Sequence, residues 1–286
     1  MTVLSLETIS KRETWAALAP RLHIEDESLL RAAPGIALEP ARIIAIREQL
    51  LLDGYFQLRD VPFSVDLALM AETVRKFCSQ GLSPVFAFLY DEFWLPFCQL
   101  DSLFRELLGG YAMLPDFWVW NVDPQKGDSG WTPHRDKGGA TLRPDGTPNS
   151  ITVWIPLTEA TPLTSCMYVV PARHDPTYGT NREGEWRFEL PSIRALPAKP
   201  GDVLAWNQAV LHWGSKSSPL AKESRVSMAV EFQRTDVPPM NPPLLKPAHL
   251  MSFEQRLKLI AKQVLQYRHM YKVTPELEQM MMKLVA

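Results

Sequence analysis

Between Phe117 and Arg234 the chain breaks into five short runs rich in β-branched and aromatic residues: FWVWNV, SITVWIPL, CMYVV, DVLAWN and RVSMAVEFQ. Each is bounded by Pro, Gly, Asp or Asn clusters, and no helical period separates them. Short strands joined by turns without intervening helices predict an antiparallel sandwich or barrel. Proline usage points the same way. With 25 prolines against 14 glycines, helices are interrupted and strand ends are capped, which disfavours a helical bundle.

The flanks differ. Residues 1–113 read as mainly helical. Pro40 opens ARIIAIREQLLLDG, with Gly54 just past its end, the arrangement of a helix with proline in its first turn and glycine beyond its last. YFQLRDV then reads as a short strand, Ser64 as the cap of a helix over VDLALMAETVRKFC, and Leu100–Leu108 as a helix stopped by Gly109-Gly110. Beyond Lys246 the pattern is helical again. Ser252 and Gln255 form a capping box ahead of a helix whose Phe253, Leu257, Ile260, Val264 and Tyr271 make an apolar stripe, suited to packing on the barrel or to dimerisation, and Thr274-Pro275 begins a final helix. Nothing resembles a linker, so the expectation is one domain: a helical part over 1–113, a β core over 114–236 and C-terminal helices over 246–286. A chain of this length buries roughly three quarters of its unfolded surface.

Thirty basic against 32 acidic residues leave a net charge of −2, which argues against nucleic-acid binding driven by bulk charge. Cys78, Cys98 and Cys166 are odd in number and include no CxxC pair, so they read as buried thiols in a reducing compartment. The start, MTVLSLETISKRETW, lacks the basic and apolar regions of a signal peptide, and no apolar window is long enough for a membrane span. The expectation is a cytoplasmic monomer or homodimer that acts on a small molecule, without stable membrane insertion.

Among six histidines, His134 and His212 carry the chemistry. His134 stands two residues before Asp136 in WTPHRDKGG. On extended backbone, residues i and i+2 share a face, so imidazole and carboxylate converge. His212 follows an apolar strand in AWNQAVLHWGS, and a strand crossing the same barrel brings it alongside. Two histidines and a carboxylate on one face make the facial triad of non-haem iron(II) oxygenases. Spacing alone also fits a surface histidine at 134 and a satisfied half-buried one at 212. Arg225 adds weight. It opens RVSMAVEFQ thirteen residues after His212 and shares a face with Ser227. A guanidinium fork beside a hydroxyl grips a carboxylate by parallel charge-assisted hydrogen bonds, and an arginine aimed into an apolar barrel is costly without such a guest. An arginine snorkelling from the barrel rim is the competing reading.

In this order of residues the sequence resembles the phytanoyl-CoA dioxygenase-like family of Fe(II)/2-oxoglutarate-dependent oxygenases. The resemblance runs from about Val119 to Phe232 and is echoed weakly over Glu48–Val61. His134, Asp136 and His212 fall on the family's metal-ligand motif, Arg225 on its co-substrate arginine and Ser227 on the hydroxyl two residues beyond. WIPLTEATPLTSCMYVVPARH resembles the family stretch from a strand tryptophan to Pro-x-x-His, which implies that Trp154 lies against the co-substrate and that Asn121 reaches it from the preceding strand. Ala172-Arg173 departs from the small Gly-Ser or Gly-Thr usual there. The resemblance implies a double-stranded β-helix, a cupin-like jelly-roll core with N-terminal and C-terminal helices. It also implies Fe(II), 2-oxoglutarate and O2, with oxidative decarboxylation to succinate and CO2 coupled to hydroxylation of an unactivated C–H bond. A carboxylate at 136, where related halogenases carry a small residue, implies hydroxylation rather than halogenation. Two alternatives remain at this point: another cupin-type metalloenzyme (an isomerase or a dioxygenase without the co-substrate) and a non-catalytic jelly-roll binding module.

Two segments carry local positive charge: Arg135, Lys137 and Arg143 beside the HxD pair, and Arg173, Arg182 and Arg187 in the long stretch after CMYVVP, which is long enough to cover a barrel mouth. They fit recognition of an anionic metabolite or lipid-derived substrate through Arg135, Lys137 and Arg173. Interleaved acids fit plain solvated surface equally. Trp131 and Trp213 flank the expected site and offer apolar contact.

Overall fold

The computed structural model describes residues 5–246, 249, 251–271 and 273–285. The first four residues of the N-terminal stretch read above lie outside them. Among the described residues, eight strands form two antiparallel sheets. The larger has the order β1 (Tyr55–Leu58), β6 (Val203–Asn207), β3 (Ser150–Pro156), β8 (Arg225–Arg234) and β2 (Tyr111–Val122). The smaller has the order β5 (Arg194–Leu196), β4 (Met167–Val170) and β7 (Leu211–Gly214). Trp154, Leu204 and Ala229 of the first sheet share a buried apolar cluster with Met167, Val169 and Leu196 of the second, so the sheets face each other as the two layers of a jelly roll. The five sequence runs are β2, β3, β4, β6 and β8; the short β5 and β7 were not separable from turns by composition.

Strand alternation divides the work of the large sheet. Along β8, Val226, Met228, Val230 and Phe232 point to the main core with the helices. Arg225, Ser227, Ala229, Glu231 and Gln233 are the intervening residues and point between the sheets. All nine are buried. On β3 the same alternation sends Ile151, Val153 and Ile155 to the helical side and Thr152 and Trp154 inward. Register places Thr152 opposite Glu231 on one side and Trp206 on the other, while Trp154 lies opposite Ala229 and Leu204.

Helices cover the outer face, and two of the three expected caps stand where the sequence puts them. Helix Pro40–Asp53 ends on Gly54 at φ 78°, a left-handed conformation that glycine adopts without a Cβ penalty. Helix Leu67–Ser79 is capped by Asp66, not Ser64: the Asp66 carboxylate accepts from the Leu69 amide at 2.9 Å. Helix Phe253–Gln266 carries the capping box of Ser252 and Gln255, and its stripe from Phe253 to Val264 packs into the main core. Arg256 secures this helix. It is fully buried, pairs with Asp91 at 2.6 Å and donates to the carbonyls of Leu89 and Met251. Gln263 accepts from the Phe117 amide at 3.1 Å and donates to the Pro115 carbonyl. These bonds hold the irregularity in β2 between Met113 and Phe117, which turns Asp116 toward the helix end, where Gln266 Nε2 donates to it at 2.7 Å. Among the described residues no helix is long and apolar enough to cross a membrane.

Gly130 and Gly214 cross face to face. A Cβ on either would lie 2.5–2.6 Å from the other's Cα, so neither position has room for a side chain. Gly214→Ala is therefore expected to lower folding stability by about 1–3 kcal/mol through overpacking. Chemical denaturation reads this directly, and an unchanged midpoint would contradict the crossing.

Candidate metal centre

His134 lies on an irregular segment rather than on a regular strand, and one two-residue bridge does the positioning. The His134 amide donates to the His212 carbonyl, and the His212 amide returns the bond to His134, each at 3.0 Å. The two histidines are thus direct cross-strand neighbours, their ring centroids 4.3 Å apart. The chain after Asp136 is tied down as Lys137 and Gly138 donate to the Gln208 carbonyl. Ligand atoms of His134, Asp136 and His212 all lie within 4.8 Å of one another.

Each donor is oriented by a partner behind it. His134 Nδ1 faces the Thr132 carbonyl at 2.7 Å, and His212 Nδ1 faces that of Val210 at 3.0 Å. A carbonyl only accepts, so each Nδ1 carries the proton and each Nε2 offers its lone pair. The two Nε2 atoms stand 3.4 and 3.5 Å from Asp136 Oδ1. Thr152 Oγ1 and Trp206 Nε1 donate to Asp136 Oδ2 at 2.6 and 2.9 Å, which leaves Oδ1 as the free ligand atom. Outer partners of this kind fix tautomer and ligand orientation in metal sites. Burial holds His212 down at about 4, against the attraction of Asp136, so it is neutral and ready to coordinate. Burial also opposes charge on Asp136, but the two imidazoles and the Thr152 hydroxyl outweigh it and hold the carboxyl far below its ordinary range. Buried His134 Nε2 has no hydrogen-bond partner, which fits an atom placed for a metal ion.

Arg225 lines the same inner recess as the triad, with Trp154, Trp120 and Met167. It is 1% exposed and donates to Ser227 Oγ and, at 3.3 Å, to Ser165 Oγ. Its guanidinium carbon sits 5.6 Å from the Trp154 ring centroid. No carboxylate pairs with it among the described residues, and its buried Nε has no partner. Burial depresses the guanidinium to about 10, yet it remains charged near neutrality. A buried cation whose only polar partners are two hydroxyls is built to receive an anion.

The recess shares Trp131, His134, Asp136, Glu231 and Tyr267 with an outer cavity of about 570 Å³. Of the candidate substrate contacts, Trp131 and Lys137 line that cavity; Arg135, Arg173 and Trp213 do not. Arg135 is spent on Asp175 at 2.6 Å and on the Ala209 carbonyl at 2.5 Å, bracing the HxD segment. Arg173 pairs with Asp53 at 2.8 Å. Trp213 alternates with His212 and stacks on Tyr168 outside the recess. Asn121 likewise faces away. It follows inward-pointing Trp120, and its contact is Cys78. Sequence reasoning missed Thr152, Trp206, Ser165, Asp116, Glu231 and Tyr267. The alternation that paired Arg225 with Ser227 extends to Glu231, and that of Trp154 extends to Thr152, so those two were within reach.

A jelly roll with two histidines and a carboxylate converging on one face defines the class of facial-triad metal enzymes. The sequence profile of the phytanoyl-CoA dioxygenase family matches residues 64–219. The chain belongs to that family. No curated protein sequence matches it significantly. Among solved structures, the chain is similar to the epimerase SnoN in complex with Fe3+, alpha ketoglutarate and nogalamycin RO, with 16% identity over 75% of this chain and 97% of that one and a TM-score of 0.54. It is also similar to the non-haem monooxygenase ThoJ in a nickel complex, with 13% identity over 82% and 99% and a TM-score of 0.55. HygX from Streptomyces hygroscopicus, with nickel and 2-oxoglutarate bound, gives 15% identity over 71% and 89% and a TM-score of 0.50. At these identities the likeness is one of fold.

Proposed function

We propose that this chain is an Fe(II)- and 2-oxoglutarate-dependent dioxygenase that hydroxylates a C–H bond of a small organic molecule and releases succinate and CO2. The observation that carries this reading is Arg225: a fully buried guanidinium without a carboxylate partner, in the recess that holds His134, Asp136 and His212. A metal enzyme that uses no keto-acid co-substrate has no need for that cation. A binding module has no need for three oriented metal donors beside it.

His134 Nε2, Asp136 Oδ1 and His212 Nε2 would hold the iron. Arg225, Ser227 and Ser165 would take the distal carboxylate of 2-oxoglutarate, with Trp154 against its carbon chain. When bound, the metal supplies activation of O2 coupled to decarboxylation of the keto acid. The protein's own tasks are positional. Thr152 and Trp206 occupy Asp136 Oδ2 and leave Oδ1 free, the two backbone carbonyls keep both imidazoles in one tautomer, and the rings of Trp120, Trp131 and Tyr267 line the space beside the triad. A carboxylate at Asp136, where related halogenases carry a small residue, favours hydroxylation. Anaerobic addition of Fe(II) and then 2-oxoglutarate is expected to give a weak visible charge-transfer band. No band at saturating ligand would overturn the proposal.

A further inference from the structure

The outer cavity has the wrong charge for an anionic guest. Among the described residues its carboxylates are Asp116, Asp136 and Glu231, against the single ammonium of Lys137. Asp136 belongs to the metal. Lys137 Nζ is shared, bonded to Glu231 and 3.8 Å from Asp116. Both acids are nearly buried, Asp116 at 3% and Glu231 at 8% exposure, so solvent does little to offset the surplus. The remaining hydrogen bonds of Asp116, from Asn241 Nδ2 and Gln266 Nε2 at 2.7 Å each, and of Glu231, from Gln208 Nε2 at 2.5 Å, come from neutral donors; Lys262, outside the cavity lining and bonded to Asn241 Oδ1, attracts Asp116 from behind. Burial is the main influence on the Glu231 carboxyl and raises it despite Lys137 beside it, so a cation arriving next to Glu231 and Asp116 would stabilise the ionised form.

The aromatic lining points independently to the same guest. Tyr267 and Trp131 both face the cavity, their centroids 4.9 Å apart, and aromatic faces attract cations through their quadrupoles. Met240 and Met270 complete an apolar, adaptable wall.

We propose that the outer cavity receives the ammonium group of a positively charged organic substrate, seated against Asp116 and Glu231 beside the rings of Tyr267 and Trp131. This rests on the dioxygenase reading for its meaning as substrate selection, and replaces the expectation of an anionic substrate. The wall is also wired to the metal site. Gln208 Nε2 donates to Glu231 and lies 3.4 Å from Thr152 Oγ1, whose hydroxyl donates to Asp136. Glu231 thus stands three hydrogen bonds from the ligand carboxylate.

The test is calorimetric titration of the full chain without added metal, using hexylammonium and hexanol as probes of equal length. Hexylammonium is expected to bind at least about tenfold more tightly than hexanol. Glu231→Gln should remove most of that preference while cooperative thermal unfolding is kept, and Asp116→Asn provides the second variant if Glu231→Gln folds poorly. Equal binding of the two probes, preference for hexanol, or preference unchanged in either folded variant would overturn the inference. The two proposals fail separately. A preference for hexylammonium without the charge-transfer band sinks only the dioxygenase reading, and a band without the preference sinks only this one.

Discussion

Asp136→Ala is expected to cost the chain at least about a hundredfold in Fe(II) affinity and to abolish the charge-transfer band at any practical 2-oxoglutarate concentration. Loss of partners behind a ligand already costs about 10- to 100-fold in metal sites, and here a ligand itself is removed. The substitution deletes Oδ1, the only anionic donor among the three, and leaves the Thr152 hydroxyl and Trp206 indole N–H without their acceptor. Each stranded buried donor costs about 1–3 kcal/mol. His134 and His212 remain fixed by their mutual backbone bridge, so the variant should keep its fold. Metal binding followed by anaerobic titration, with circular dichroism as the folding check, reads the two effects apart. Retention of wild-type affinity would remove Asp136 from the ligand set.

Arg225→Ala is expected to act on the other ligand. Truncating one partner of a buried, hydrogen-bonded charge pair costs about 2–5 kcal/mol. The 2-oxoglutarate requirement should therefore rise by about two orders of magnitude or more, while affinity for Fe(II) alone changes little. The asymmetry follows from position. Arg225 lines the recess of the triad without touching it: its partners are Ser227, Ser165 and the Trp154 face, none of them one of the three proposed ligands. Titrating iron first and 2-oxoglutarate second on the same sample separates the two constants. Equal losses in both would mean that Arg225 supports the barrel and does not clamp a co-substrate.

The β runs, the helical flanks and the His134–Asp136 pair were legible because each obeys a short-range rule of period, cap or spacing, whereas His212 and Arg225, distant in sequence, were joined to them by the family resemblance. What escaped depends on contacts between distant segments. Trp206 reads as core in VLAWN, and only the β3–β6 register reveals that its N–H reaches Asp136. Asp116 reads as a polar residue near the start of a strand until the β2 irregularity and the C-terminal helix turn it to the cavity. Arg135 looked available because its sequence neighbours are ligands, but a charge buried there requires its own acid, and Asp175 supplies it. Asn121, which the family resemblance puts at the co-substrate, and Trp213, beside His212 in sequence, are each turned away from the inward neighbour by strand period 2.

The division of labour along β8 has a consequence for how this chain is free to vary. Arg225 and Glu231 stand six residues apart on one side of the strand, roughly 20 Å at about 3.3 Å per residue, while Val226, Met228 and Val230 between them are fastened into the helical core. Substitution at any one inward position changes a single contact. Insertion or deletion of one residue would exchange the two faces wholesale, sending a guanidinium and a carboxylate into oil and valine and methionine toward the iron site. The spelling of β8 is negotiable, but its length is not.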